Sequence, residues 1–119
     1  MIHVDTVHDK VYLCREPVDL RRSIDGLSVL VEGLLEHNPF SGHWFVFTNR
    51  RRDKVKILYW ARNGFCLWYK RLEKQRFKWP QHLDGQPITL STDELRWLLD
   101  GYDLSRLKAH RSLHYSTLL

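Results

Sequence analysis

The segment 44–73 does most to limit how this chain can fold. It reads as three successive strands, Trp44 to Thr48, Lys54 to Ala61 and Phe65 to Glu73, rich in aromatic and β-branched residues. Asn63-Gly64 predicts a two-residue hairpin between the last two, because a type I′ turn needs φ > 0 at both central positions and Asn-Gly tolerates that best. In that register Arg62 faces Phe65. Period-2 alternation then separates two faces. One carries Val55, Ile57, Tyr59, Ala61, Cys66, Trp68, Lys70 and Leu72 and belongs against helices. The other carries Lys54, Lys56, Leu58, Trp60, Arg62, Phe65, Leu67, Tyr69, Arg71 and Glu73, a mixture of cations and rings.

The flanks supply the rest of a small domain. Val11-Tyr12-Leu13-Cys14 reads as a short strand ended by Pro17. Asp19 can cap a helix whose apolar positions are Leu20, Ile24, Leu27, Val31 and Leu34, at the 3.6-residue period, stopped by Asn38-Pro39. Pro87 to Leu90 reads as a further short strand. Ser91 and Glu94 then form a capping box for a helix carrying Leu95, Leu98 and Leu99 and closed by Gly101. After about residue 105 the pattern dissolves, and a mobile tail over 105–119 is expected. The predicted architecture is a single α+β domain over 1–104. Its antiparallel sheet has a central three-stranded meander plus one or two short strands, with two helices packed mainly on one face.

Charge is distributed unevenly. Residues 1–49 hold four Lys/Arg against seven Asp/Glu, residues 50–79 eleven against two, and residues 80–119 four against five. The whole excess of +5 therefore sits in one central block between acidic flanks, which suggests a surface that faces a polyanion. Lys and Arg release counterions from phosphates, and flat rings stack on exposed bases at roughly 1–3 kcal/mol each. The candidate DNA-binding residues are Arg50, Arg51, Arg52, Lys54, Lys56, Trp60, Arg62, Tyr69, Lys70, Arg71, Lys74, Arg76 and Lys78. Arg50-Arg51-Arg52 is the sharpest element, since three adjacent guanidiniums repel unless an anion is near. Lys70-Arg71, Lys74, Arg76 and Lys78, interleaved with Phe77 and Trp79, form a second basic cluster that resembles a segment tracking the phosphate backbone. Arg21 and Arg22, placed in the first turn of the long helix, form a candidate second phosphate site. The competing reading is that Trp60, Phe65 and Tyr69 pack under another element while the cations keep the rim hydrated.

Other chemistry is poorly represented. The seven histidines are scattered, and only His110 and His114 share i, i+4 spacing. Within the basic block the acids are Asp53 and Glu73 alone, too few for a two-metal site. There is no P-loop, dinucleotide fingerprint or nucleophile elbow. No catalytic residue, metal or cofactor is expected. Two cysteines make no disulfide framework, and no apolar run is long enough for a membrane span. A cytoplasmic protein without membrane contact is the expectation.

Several stretches together resemble a known family: Pro17 to Leu27, Asn38-Pro39-Phe40-Ser41-Gly42, Asp53 to Trp60, Asn63 to Glu73 and Arg76 to Pro80. They are similar to the accessory proteins, called TnpB, encoded by the second open reading frame of the sixty-six family of bacterial insertion sequences. The likeness runs over about residues 10–104. It implies a protein needed for transposition beside a separate, larger transposase, and it carries over no catalytic residue. Where the family pattern has glycine before Asp53, this chain has Arg52, which predicts a more basic and less tightly turned loop. The expected function is that of a non-enzymatic accessory protein that binds DNA, with element ends as one possible target. The alternative is an adaptor that recruits or regulates the transposase without touching DNA. Partners are DNA, the transposase and other proteins of the same element; the oligomeric state is left open.

Overall fold

In a computed structural model, which describes residues 10–107, the chain forms five strands and two helices. The order is β1 (Val11–Leu13), α1 (Ile24–Gly33), β2 (Trp44–Thr48), β3 (Lys54–Ala61), β4 (Gly64–Arg71), β5 (Ile88–Leu90) and α2 (Thr92–Leu99). The strands make one sheet in the order β4-β3-β2-β1-β5. The expected meander is β2-β3-β4, antiparallel throughout. β5 also runs antiparallel to β1, but β1 and β2 are parallel, joined by a crossover through α1. An exclusively antiparallel sheet is therefore corrected to a mixed one. A parallel pair needs a long crossover, which 14–43 supplies.

Alternation along the strands fills two cores, one on each face. Val11, Leu13, Trp44, Val46, Val55 and Ile57 pack with Phe77, Trp79 and the α2 residues Leu95, Leu98 and Leu99. Phe45, Phe47 and Leu58 pack on the other face with Leu20 and the α1 residues Leu27 and Val31. The two helices thus lie on opposite faces and not mainly on one. The reason is that both faces of β2 are apolar: all five of its residues are buried, so each face requires a cover.

The capping box is formed as expected, with Ser91 Oγ accepting from Glu94 N and Glu94 Oε1 accepting from Ser91 N. The long helix starts later than expected. Asp19 caps a turn, its carboxylate accepting from Arg21 N at 3.0 Å and its carbonyl from Arg22 N at 3.2 Å. Lys56 Nζ donates to the carbonyls of Leu20 and Arg22, at 2.6 and 2.9 Å, so those oxygens point across to β3 instead of along a helix axis. Ser23 is the N-cap, and Arg21 and Arg22 precede α1 instead of lying in its first turn. At the other end Leu34 is 42% exposed while Leu35 is buried, because the chain leaves the helix at Gly33.

The β3–β4 hairpin is also shifted. Ala61 faces Gly64 and Trp60 faces Phe65, so the turn residues are Arg62 and Asn63, with Arg62 at φ 58°. The pairing has slid by two residues relative to the Asn-Gly expectation, which leaves every side chain on its predicted face. Of the expected tail, residues 108–119 lie outside the described residues, His110 and His114 among them. Residues 104–107 form one helical turn, with Leu104 buried in the α2 core and Leu107 packed against it.

Candidate nucleic-acid interface

Parallel pairing of β1 and β2 places their carboxyl ends side by side. Beyond them the ladder continues, with Val18 N donating to Thr48 O at 2.9 Å. The segment 17–21 is thereby laid against the loop 49–53, where β3 begins and β4 ends. Helix α1 covers the middle of this face through Leu58, Leu67 and Phe65. It leaves the end carrying Lys54, Lys56 and Tyr69 open.

A groove of about 740 Å³ results. Pro17, Val18 and Leu20 supply one wall. Arg21, Arg50, Arg51, Lys54 and Lys56 supply the cations, against one lining carboxylate among the described residues, Asp19. Tyr69 completes the lining with a ring 49% exposed. The two basic sites expected separately, Arg21 and the loop arginines, therefore converge on one concave surface. A low-dielectric wall beside clustered cations focuses positive potential on whatever anion enters.

The loop is held from behind. Asn49 Nδ2 donates to Asp53 Oδ1 at 2.6 Å, while Asn49 Oδ1 accepts from Lys54 N at 3.1 Å. That hydrogen bond, with help from the charge of Lys54, lowers the Asp53 pKa and keeps the carboxylate ionised as a fixed partner. Arg52 N donates to Asn49 O, and Arg52 itself sits at φ 59°. The expectation of a looser turn at Arg52 is corrected: the arginine adopts the left-handed conformation that a glycine would favour. Its carbonyl accepts from Phe77 N at 2.7 Å, and its side chain does not line the groove.

Asp19 and Arg21 form an ion pair at 2.6 Å on the groove rim, with the Arg21 side chain 90% exposed. The hydrogen bonds from Arg21 draw the Asp19 carboxyl down to about 2. Lys54 lies 3.7 Å from Asp53. Arg50 and Arg51 are exposed.

Other expected residues lie elsewhere. Arg62 is at the hairpin tip, one residue beyond the end of β3 and about 26 Å from Lys54 along the strand direction at ~3.3 Å per residue. Trp60 packs edge-on against Phe40 and Phe65, each about 5 Å away between centroids. Lys70 and Lys78 reach the end of α2, donating to the carbonyls of Leu99 and Gly101 at 2.9 and 3.4 Å. There they complement the helix C-terminus. Phe77 and Trp79 are buried, and Trp79 Nε1 donates to Cys14 O at 2.9 Å, so neither ring is offered to a base. Arg71 pairs with Glu73 at 3.0 Å. Lys74 and Arg76 are exposed in the loop after β4, and Arg22 is exposed just before α1.

Sequence reasoning missed Pro17, Val18 and Asn49 as parts of the site. Asn49 carried a usable signal, since an Asn four residues before an Asp at a strand boundary can close a loop by side-chain hydrogen bonds. Among the described residues no group of three or more His, Cys, Asp or Glu is placed to hold a metal ion, and no helix is long and apolar enough to cross a membrane.

The family model described as "IS66 Orf2 like protein" matches residues 9–109. Two proteins of Sinorhizobium fredii strain NGR234, the uncharacterized proteins y4jC and y4hO, are similar. The first is 35% identical over 99 residues, covering 83% of this chain and 84% of the relative. The second is 34% identical over 94 residues, covering 79% and 81%. No solved structure matches. The family match spans all five strands and both helices, and the chain belongs to the IS66 Orf2-like family of insertion-sequence accessory proteins.

Proposed function

We propose that this chain is a non-enzymatic accessory factor of transposition that holds DNA phosphates in the groove. The observation that carries the reading is the convergence of Arg21, Arg50, Arg51, Lys54 and Lys56 beside the half-exposed ring of Tyr69. Exposed guanidiniums on a rim lose little hydration until they meet a phosphate, and each contact then releases counterions. The fixed lysines beneath them set the register of the strand along the groove. Nothing in this arrangement reads a base edge, so binding is positioned by backbone contacts and is tolerant of sequence. In this reading the chain works in the cytoplasm, on element ends or on DNA near them. Strand cleavage and joining belong to the separate transposase that the family relationship implies.

The test is fluorescence anisotropy with a labelled duplex. Arg50→Glu with Arg51→Glu should weaken binding by at least about tenfold, because two phosphate contacts become repulsive. Arg62→Glu with Arg76→Glu makes the same change in net charge away from the groove and should have a smaller effect. Equal losses from both pairs would contradict the groove as the interface.

One observation favours a second activity, docking of the transposase. Phe40 is 53% exposed and sits against Trp60 and Phe65 at the other end of the hairpin, an aromatic anchor of the kind that dominates protein interfaces. In that reading Phe40→Ser abolishes capture of the transposase while affinity for DNA is unchanged.

A further inference from the structure

β4 is the last strand of the sheet, and the parity of its hydrogen bonds shows which of its groups are unused. Lys54 N donates to Asn49 Oδ1, on the side of β2, while Leu72 N donates to Asp53 O. Odd residues of β3 therefore face β4. With Tyr59 opposite Cys66, Ile57 opposite Trp68 and Val55 opposite Lys70, those three residues of β4 turn their amides and carbonyls inward. Phe65, Leu67, Tyr69 and Arg71 turn theirs outward. Among the described residues none of these four outward amides or carbonyls has a hydrogen-bond partner. The strand is eight residues long, pairs without a bulge and contains no proline. It has the length and regularity of an edge open to strand addition.

We propose that β4 pairs with β4 of a second copy of this chain, antiparallel, about a two-fold axis at Trp68. In this register all four outward residues find partners, Phe65 against Arg71 of the partner subunit and Leu67 against Tyr69 of the partner subunit. The edge is self-complementary in this sense only. Its start is aromatic and apolar, with Phe65 and Leu67, and its end is cationic, with Lys70 and Arg71. Two-fold pairing lays each Arg71 side chain beside an aromatic ring, a favourable contact for a guanidinium. It also holds the two Arg71 residues about 20 Å apart, at ~3.4 Å per residue, beyond the screening length of about 8 Å at physiological salt. Parallel pairing of the same edge would set like charges side by side. Such an isologous contact closes on itself and makes a ten-stranded sheet from two copies of the five-stranded one. Because the axis is perpendicular to the sheet, both Lys56–Tyr69 surfaces lie on the same side of the dimer. The pairing itself does not depend on what the groove binds.

Two measurements on the full chain test this. Sedimentation at tens of micromolar should give twice the 14.4 kDa chain mass. The amides of Phe65, Leu67, Tyr69 and Arg71 should lose protection from hydrogen exchange on dilution, while those of β3 keep theirs. In the proposed register Cys66 faces Lys70 of the partner subunit in a non-hydrogen-bonded pair, about 4.5 Å between Cα atoms, within disulfide range. Lys70→Cys should therefore yield a covalent dimer on mild oxidation, and adding Cys66→Ser should abolish it. A monomeric mass for the unmodified chain would overturn the proposal. So would edge protection independent of concentration, which would place a segment of the same chain on β4. A crosslink surviving Cys66→Ser would overturn the register.

Discussion

Lys56 and Tyr69 stand directly opposite one another on β3 and β4, with the ammonium 5.9 Å from the centre of the ring. The same ammonium holds the carbonyls of Leu20 and Arg22. One side chain thus ties the segment that carries Arg21 to the strand pair that carries the accessible ring. The groove exists because these three pieces are held together at the carboxyl end of the parallel pair β1–β2.

Lys56→Met keeps the apolar stem and removes the ammonium. The carbonyls of Leu20 and Arg22 would lose their charged donor, at a cost of about 1.5–3 kcal/mol. The urea midpoint should fall accordingly. DNA binding should weaken more than loss of one phosphate contact requires, because the Arg21 segment is released as well. An unchanged midpoint would show that Lys56 does not hold that segment.

Asp19 is the groove's internal competitor for Arg21. Its depressed pKa means that it remains ionised down to about 2. The ion pair's contribution is fully present above the ordinary carboxylate value of 3.8 and is lost as pH falls through about 2. At neutral pH, Asp19→Asn should therefore tighten DNA binding and steepen its salt dependence, by freeing Arg21 and removing one negative charge. Weaker binding by Asp19→Asn would mean that the carboxylate positions Arg21 for the ligand instead of competing with it.

Trp79 belongs to the core and is absent from the lining of the groove. Trp79→Phe removes the indole donor to the Cys14 carbonyl and should destabilise the fold by about 1–3 kcal/mol through an unsatisfied buried acceptor. Thermal unfolding reports that loss. Affinity for DNA, measured well below the transition, should be unchanged, since the ring is in the core.

What could be read along the chain was what depends on near neighbours. Ser91 and Glu94 are three residues apart, and their capping box formed as written. The alternation of Val55, Ile57 and Tyr59 with Lys54, Lys56 and Leu58 assigned both hairpin faces correctly, because a slide of two residues preserves parity. The register itself was not legible: Arg62 takes a positive φ and Asn63 N bonds to Ala61 O at 2.6 Å, moving the turn one residue ahead of the Asn-Gly pair. The helix start was hidden for a different reason. Asp19 and Leu20 suit a helix locally, but the carbonyls of Leu20 and Arg22 are claimed by Lys56, more than thirty residues away. A three-residue strand such as β1 carries too little pattern to announce a parallel partner, so the meeting of Arg21 with Arg50 could not be foreseen.

Arg52 occupies a backbone conformation that costs a non-glycine residue about 1–2 kcal/mol. Arg52→Gly relieves that cost but adds about 0.5–1 kcal/mol of unfolded-chain entropy. Stability should therefore hold or rise by up to about 1.5 kcal/mol in urea titration. Because the Arg52 side chain does not line the groove, DNA binding should change far less than on loss of Arg50 or Arg51. A large loss of affinity would bring Arg52 back into the interface.

The salt dependence of DNA binding tests the central claim most directly. Each phosphate released should contribute about 0.9 to the slope of log affinity against log salt. The groove account predicts that Arg21→Ala, Arg50→Ala and Arg51→Ala together flatten the slope by about 2.7, while Arg62→Ala, Lys74→Ala and Arg76→Ala together leave it nearly unchanged. A slope that survives the first set and collapses with the second would contradict it.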